Sequence, residues 1–239
     1  AAGLGIKAGG GANLDQANDV ETLAVDAGGS FTFHDTDGVT IGSVTENASS
    51  LPITLDGIVT SNDNVAISTA TGDITLMQAI NAGIGNVSLE ATTGSIVDAN
   101  DGQTLITAQD LSLVAKTNVG DITDFSAGTG NAIDIALTGQ LTKASVSDAG
   151  GEIFLNSHGD LSVASGSINV GGANAASAIL RATGGNIDVG TAAGAFSLSS
   201  GDNLGLEAVL DGANGGTLTL PDAGLNVGTG DLRLRGDVD

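Results

Sequence analysis

The chain has 239 residues, a formal net charge of −22 and 38 glycines, and it contains no Cys, Trp or Tyr. These numbers exclude disulfides and cysteine-based metal sites, and the negative charge disfavours nucleic acids and anionic membrane surfaces as partners. Because only five Phe are present, the core has to be thin and built from Ile, Leu, Val and Ala, which suits a narrow lumen.

Short stretches of alternating apolar and polar residues run along the whole chain, and each predicts a strand with one buried face. Residues 1–50 hold a looser unit, residues 51–124 carry the sharpest repeats, and residues 125–239 carry degenerate repeats. We interpret residues 1–239 as a single elongated domain, because no linker or change in composition separates the three parts. Strands within the first part are predicted at 20–25, 31–33 and 39–44.

A short recurring phrase predicts how these strands are arranged. Its clearest copies begin at Asn64 and Asn86, and each holds two alternating strands around a turn that contains glycine. Looser copies begin at Asp110, Glu152 and Ala178. Strands this short cannot bury a face alone, so the copies have to stack on one another. The sequence therefore predicts an all-β fold, a parallel β-helix (β-solenoid) with roughly 20–25 residues per coil and a length of roughly 50 Å.

The alternation also predicts which side chains fill the lumen. In the segment 73–76, for example, Ile74 and Leu76 lie on one face of the strand and Thr75 lies on the other. By the same rule Arg233 and Arg235 are predicted to share an outward face. The residues predicted to face inward are Val65, Ile67, Ile74, Leu76, Val87, Leu89, Ile96, Leu111, Leu113, Ile122, Leu161, Val163, Ile187 and Val189.

Four segments, at 20–24, 31–33, 39–44 and 74–91, carry a family resemblance. Together they resemble the repeats of filamentous-haemagglutinin-like exoproteins, large bacterial surface and secreted proteins that are often exported by two-partner secretion. The resemblance covers about residues 20–125 well and the rest only in style. It implies a right-handed parallel β-helix with an extracellular structural or adhesive role, and it supplies no catalytic motif.

We therefore expect an extracellular protein of the bacterial cell surface that forms an adhesin shaft, fibre or filament and is not an enzyme. The expected partners are head-to-tail copies of itself or adjoining repeats of a longer chain, and a host surface or extracellular matrix. Neither end of the chain resembles a cap, and a head-to-tail contact between copies would produce filaments. No stretch approaches the about 20 apolar residues of a spanning helix, so we expect no membrane insertion.

A second function class stays open, which is a β-helix enzyme or lectin that acts on polysaccharide, such as a lyase. Two features of the composition count against it. Sugar-binding clefts commonly stack aromatic rings on the substrate, and this chain has no Trp or Tyr. A lyase or hydrolase also needs carboxylates clustered with Arg or Lys, and only six basic residues are present.

Asp35 and Asp37 are candidate calcium ligands, and calcium is the only cofactor that the sequence suggests. Two carboxylates two residues apart, followed by Gly38, begin like a calcium loop. The later ligand positions of such a loop are not filled, since Gly42 and Ser43 stand there. The alternative, which we favour, is a simple turn between two strands.

Asp98 and Asp124 form a second candidate calcium pair, because both align with Leu76 in the repeat copies. If Leu76 faces inward, the two carboxylates would lie in or near the lumen and would need a metal ion or a protonated partner. The alternative, which we favour, is that both point to solvent because the strand ends one residue earlier. The only two histidines, His34 and His158, are predicted to be solvated turn residues.

Overall fold

The computed structural model describes residues 3–46, 52–99, 106–164, 166–170, 176–189, 196–197, 202–210, 213–214, 216–220, 225 and 229–238. Every regular element in these ranges is a β-strand, as the alternation predicts, and none of them forms a helix able to cross a membrane. In chain order the first strands are β1 (Gly3–Ala8), β2 (Ala12–Asn18), β3 (Thr22–Ala27), β4 (Phe31–Asp35), β5 (Val39–Ile41), β6 (Ser43–Glu46), β7 (Ile53–Asp56), β8 (Ile58–Thr60), β9 (Val65–Thr69), β10 (Ile74–Leu76), β11 (Ile80–Asn81), β12 (Val87–Ala91), β13 (Ile96–Asp98), β14 (Ile106–Ala108), β15 (Leu111–Ala115) and β16 (Asn118–Val119).

The remaining strands are β17 (Asp121–Asp124), β18 (Thr129–Asn131), β19 (Ile133–Leu137), β20 (Leu141–Val146), β21 (Glu152–His158), β22 (Leu161–Ser162), β23 (Ile168–Val170), β24 (Ser177–Thr183), β25 (Ile187–Asp188), β26 (Phe196–Ser197), β27 (Asn203–Leu210), β28 (Ala213–Asn214), β29 (Thr217–Thr219), β30 (Leu232–Arg235) and β31 (Asp237–Val238).

Most strands pair in parallel with the equivalent strand of the next coil, so the chain folds as a parallel β-solenoid. The coil made of β8, β9 and β10 carries the coil made of β11, β12 and β13 directly on top of it. We call the walls formed by the first, second and third strands of these coils the first, second and third faces. The first and third faces belong to one 15-stranded sheet, and the second face, which includes β9 and β12, is an 8-stranded sheet. Stacking of whole coils therefore provides the burial that single strands cannot.

Glycine permits the coils to approach closely at their corners. Gly72 and Gly94 lie at the corner between the second and third faces, one coil apart. A Cβ atom on Gly94 would lie 2.6 Å from Asp73 Oδ1 and even closer to the carbonyl oxygen of Gly72. Any side chain at position 94 would therefore push the two coils apart.

Three antiparallel hairpins interrupt the regular coils in the described residues, and the third is the short pairing of β28 with the end of β27. The first, β6–β7, lies between the third-face strand β5 and the first-face strand β8, and the second, β17–β18, lies between β16 and β19. They lengthen the spacing between hydrogen-bonded residues of adjacent coils from 22 or 24 to as much as 35. The repeat copy that begins at Asp110 was predicted to continue to Asp124. This prediction is wrong at its end, because β17 leaves the wall of the solenoid and pairs with β18.

The lumen contains nearly all of the residues predicted for it. Thirteen of the fourteen lie in one buried apolar cluster that runs along the solenoid, together with the stacked rings of Phe31 and Phe33. Ile122 is the exception, because it lies with Phe154 and Ile179 in a second apolar cluster outside the lumen. Ile122 is buried, as its place in the alternation predicts, but it packs against the outside of the solenoid wall and not in the lumen.

Truncation of a lumen residue should cost far more stability than truncation of its outward neighbour. Ile74 is fully buried and stacks between Val39 and Ile96, whereas Thr75 points away from the lumen and is half-buried. We expect Ile74→Ala to lower the free energy of unfolding by about 2–4 kcal/mol through cavity formation, and Thr75→Ala by less than about 1 kcal/mol. Denaturant titration of both variants measures the difference, and equal losses would contradict the assigned facing.

Candidate functional site

The corners before three successive second-face strands, β9, β12 and β15, each carry an Asn or Asp whose side chain bonds to the next coil. The Asn64 Oδ1 atom accepts a hydrogen bond of 2.9 Å from the backbone N–H of Asn86, 22 residues later. In return, the backbone N–H of Val65 donates to the carbonyl oxygen of Asn86 at 2.9 Å. Two neighbouring coils are thus joined by a reciprocal pair of hydrogen bonds, one to a side chain and one to the backbone.

The side-chain bond recurs along the solenoid, and we call these residues the Asx ladder. The backbone N–H of Asp110 donates to Asn86 Oδ1 at 3.2 Å, and that of Gln140 donates to Asp110 Oδ1 at 3.0 Å. Asn and Asp are interchangeable here because only the Oδ1 acceptor is used. Further copies join the acceptors Asp73, Asp160 and Asn186 to the backbone N–H groups of Ser95, Asn186 and Thr217.

The Asx ladder is the feature that the period-two analysis missed. Its members are polar and lie outside the alternating strands, so the apolar pattern does not identify them. A usable signal is nevertheless present, because copies of the repeat begin with Asn64, Asn86 and Asp110. Recurrence of Asn or Asp at that one position indicates a side-chain acceptor that serves the same purpose in successive coils.

Loss of one ladder acceptor should have a measurable cost that a conservative change avoids. Asp110→Ala leaves the backbone N–H of Gln140 without its side-chain acceptor, and we expect a loss of about 1 kcal/mol in the free energy of unfolding. Asp110→Asn keeps the Oδ1 acceptor and removes a negative charge, so it should be neutral or slightly stabilising. Denaturant titration compares the two variants, and an equal loss in both would show that the bond does not matter.

Asp35 and Asp37 lie together, as predicted, at the turn that follows β4. Asp35 is fully buried, its Oδ2 atom accepts from the backbone N–H of Val20 at 3.1 Å, and its Oδ1 atom accepts from that of Asp37 at 3.1 Å. Burial raises the pKa of the Asp35 carboxyl, and the Asp37 carboxylate beside it raises that pKa further. The contacts of Asp35 are those of a turn-stabilising residue, which agrees with the turn interpretation.

Asp98 and Asp124 do not come together. Asp98 is 1% exposed and pairs in register with Leu76, so the prediction that it points to solvent is wrong. Asp124 is exposed at the end of β17, where its Oδ1 atom accepts hydrogen bonds from the hydroxyl and backbone N–H of Ser126. These bonds lower the pKa of Asp124, which therefore carries its charge on the hairpin and not in the lumen.

A calcium site at any of the four aspartates stays a prediction. Within the part of the chain that the structure describes, no group of three or more His, Asp or Glu side chains converges to hold a metal ion. Asp35 and Asp37 are the only two of the candidates that are neighbours.

Removal of the charge on Asp37 should change how stability depends on pH. A pKa raised by folding means that stability falls as the pH rises through the titration of Asp35. Asp37→Asn removes the repulsion, so we expect it to stabilise the protein at pH 7 by less than about 1 kcal/mol. The gain should disappear below the ordinary pKa of 3.8. Thermal melts from pH 3 to pH 8 measure this gain, and a gain that is the same at every pH would contradict the assignment.

The same two proteins test calcium. If Asp35 and Asp37 bind the ion, CaCl₂ should raise the melting temperature of the parent protein more than NaCl of equal ionic strength does. Asp37→Asn should abolish that difference. Equal effects of the two salts would leave only screening of the −22 net charge.

Both histidines lie in strands, so the prediction that they are turn residues is wrong. His34 in β4 forms a hydrogen bond of 2.8 Å with the hydroxyl of Ser68 in the next coil. His158 in β21 bonds through Nε2 to Asp134 Oδ1 at 2.7 Å. Each histidine therefore joins one coil to the next on the outer wall, and the two lie in different coils.

A shallow depression lies on the outer wall of the second face, around His34. It has a volume of about 440 Å³, and its lining includes Asp15, Ser68 and Glu90. Hydrogen bonds from neighbouring amides lower the pKa of the exposed Asp15. Carboxylates and hydroxyls in a shallow depression provide acceptors for the hydroxyl groups of a sugar, so this is where the alternative function would be located.

Comparison with known proteins gives no match, since no family model, curated protein or solved structure is significantly similar to the chain. The resemblance to filamentous-haemagglutinin-like repeats therefore rests on the four segments themselves.

Proposed function

We propose that this chain is a structural shaft segment of an exported bacterial surface protein. The observation that carries the proposal is the Asx ladder, which repeats one coil-to-coil bond at successive interfaces beside one apolar cluster that runs along the solenoid. The repeated unit is an interface between coils and not a pocket. Such a unit lengthens the molecule without changing its surface chemistry, which is what a spacer requires.

The geometry suits a load-bearing role. Strands such as β9, β12 and β15 are perpendicular to the stacking direction, so their hydrogen bonds point along the axis of the rod. Each interface combines these backbone bonds with the side-chain bond of the Asx ladder and with lumen packing. Because the bonds of one interface act in parallel, bending or separating two coils requires several of them to break together.

The proposal extends to partners and location. Leu232 and Leu234 of β30 continue the lumen positions of Leu204 and Leu206, yet they are 42% and 37% exposed. This apolar strip fits a further coil, from an adjoining repeat or from a second copy of the chain. An extracellular position at the bacterial surface, with adhesion to a host surface or matrix as the task of the whole protein, follows from the family resemblance.

Stretching single molecules from the two ends tests the shaft proposal. We expect distinct unfolding events whose contour-length gains correspond to whole coils, about 75 Å for a coil of 22 residues and about 120 Å for one of 35. Asp110→Ala should lower the force of the event that opens its interface, and Asp110→Asn should not. Extension without distinct events, like that of an unfolded chain, would contradict the proposal.

The surface location is tested separately on the producing bacteria. Antibodies raised against the chain should label intact cells, and labelling only after permeabilisation would contradict an extracellular position.

The depression around His34 supports a second candidate function, which is polysaccharide binding. Calorimetric titration with neutral and acidic polysaccharides tests it, with Glu90→Gln as the variant, because Glu90 lines the depression and lies outside the lumen. Binding that Glu90→Gln abolishes would favour the lectin or enzyme alternative over a purely structural role.

A further inference from the structure

The second hairpin, β17–β18, lies against the outer wall of later coils. Ile122 packs on Phe154 and Ile179 in the apolar cluster outside the lumen, with Phe125 at its edge. The backbone N–H of Ile122 also donates to Glu152 Oε2 at 3.0 Å, which fixes the base of the hairpin to β21. The hairpin is thus a packed element of the wall and not a free loop.

A buried ionic cluster lies under the tip of this hairpin. Glu207 of β27 has no exposed surface, although its carboxylate belongs to an outward-facing side chain. Its Oε2 atom accepts from Arg181 Nε at 2.9 Å, and its Oε1 atom lies 2.8 Å from Arg233 Nη1. Two guanidinium groups, one from the preceding coil and one from the following strand β30, therefore balance one buried carboxylate.

The same two arginines bond to the hairpin itself. Arg233 donates from Nη1 to the carbonyl oxygen of Phe125 at 3.0 Å and from Nη2 to that of Ala127 at 3.1 Å. Arg181 donates from Nη2 to the carbonyl oxygen of Gly128. Three carbonyls at the tip thus find their donors on the wall, and the tip in turn shields Glu207 from water.

Gly128 makes this close fit possible. Its φ angle is +66°, a conformation that residues with a side chain rarely adopt. A Cβ atom at this position would lie 2.5 Å from Glu207 Oε1 and closer still to Arg233 Nη1. The position therefore tolerates no side chain while the hairpin is seated.

We propose that hairpin β17–β18 is a clasp that locks the later coils of the solenoid to an earlier one. In an ordinary solenoid each coil contacts only its neighbours, so an outer coil frays by breaking one interface. Here β30 is bonded to the hairpin across 106 and 108 residues of sequence, past the coils that contain β21, β24 and β27. Release of β30 therefore requires the clasp to open as well.

Hydrogen exchange measured by mass spectrometry tests the clasp in both directions. Arg233→Gln should speed exchange in the hairpin, at 121–131, by at least about tenfold, although the substitution lies about a hundred residues away in sequence. Gly128→Ala should produce the reciprocal effect on β27 and β30. Arg235→Gln is the matched control, since it makes the same change on the same strand at an exposed residue.

The outcomes separate clearly. Fast exchange of the hairpin in Arg233→Gln but not in Arg235→Gln, with β9 and β12 unchanged in both, supports the clasp. Equal exchange in the two arginine variants, or unchanged β30 exchange in Gly128→Ala, overturns it. If Gly128→Ala does not fold, chymotrypsin cleavage after Phe125 in Arg233→Gln decides instead, because Phe125 lies in the turn of the hairpin and packs on the wall only while the hairpin is seated. Cleavage no faster than in Arg235→Gln then overturns the proposal.

Discussion

Hydrogen bonding between coils stacked at about 4.8 Å is the constraint on which the rest of this structure depends. At that separation a corner accepts no side chain directed at its neighbour, which explains Gly94 above Gly72. A corner also leaves backbone N–H groups that the strand ladder does not use, and the Asx ladder accepts hydrogen bonds from them. The lumen is narrow, so Ile, Leu and Val fill most of it, and Phe31 and Phe33 add two large aromatic rings.

Several carboxylates of this acidic chain are buried, and three of them have different surroundings. Asp35 accepts two backbone N–H groups, and its pKa is raised by burial and by Asp37. Glu207 lies between two guanidinium groups under the hairpin. Asp98 occupies a lumen position that Leu76 fills one coil earlier. Burial of an ionic cluster is costly unless its members are paired and bonded, and the tip carbonyls of the hairpin accept hydrogen bonds from both arginines.

The alternation predicted the fold and the lumen because period two reports directly which side of a strand is buried. It could not locate the hairpins, since an antiparallel excursion alternates in the same way as a coil strand. Ile122 shows this limit, because it is buried as predicted but packs outside the lumen that it was predicted to face. Asp98 shows another, because the last residue of a short strand gives no pattern from which its direction could be inferred.

The candidate site was harder to predict than the fold, because none of its parts follows the period of two that identifies the strands. The Asx ladder repeats at the coil spacing and could have been found by aligning copies on Asn64 and Asn86. The ionic cluster does not repeat at all. Nothing in the local sequence around Arg181 or Arg233 indicates a partner in a hairpin 53 to 108 residues earlier, since only the number of intervening coils brings them together.

That separation gives the chain an order of assembly. The hairpin is complete by residue 131, yet the donors for two of its tip carbonyls arrive with residue 233. A chain that folds from its amino terminus would carry Ile122 and Phe125 uncovered until β21 and β24 have formed. Strand β30 would then close the longest-range hydrogen bond among the described residues, across 108 residues, and such non-local contacts form slowly. Seating of the hairpin thus waits for Arg233, and a chain stopped before that residue would leave the carbonyls of Phe125 and Ala127 to water.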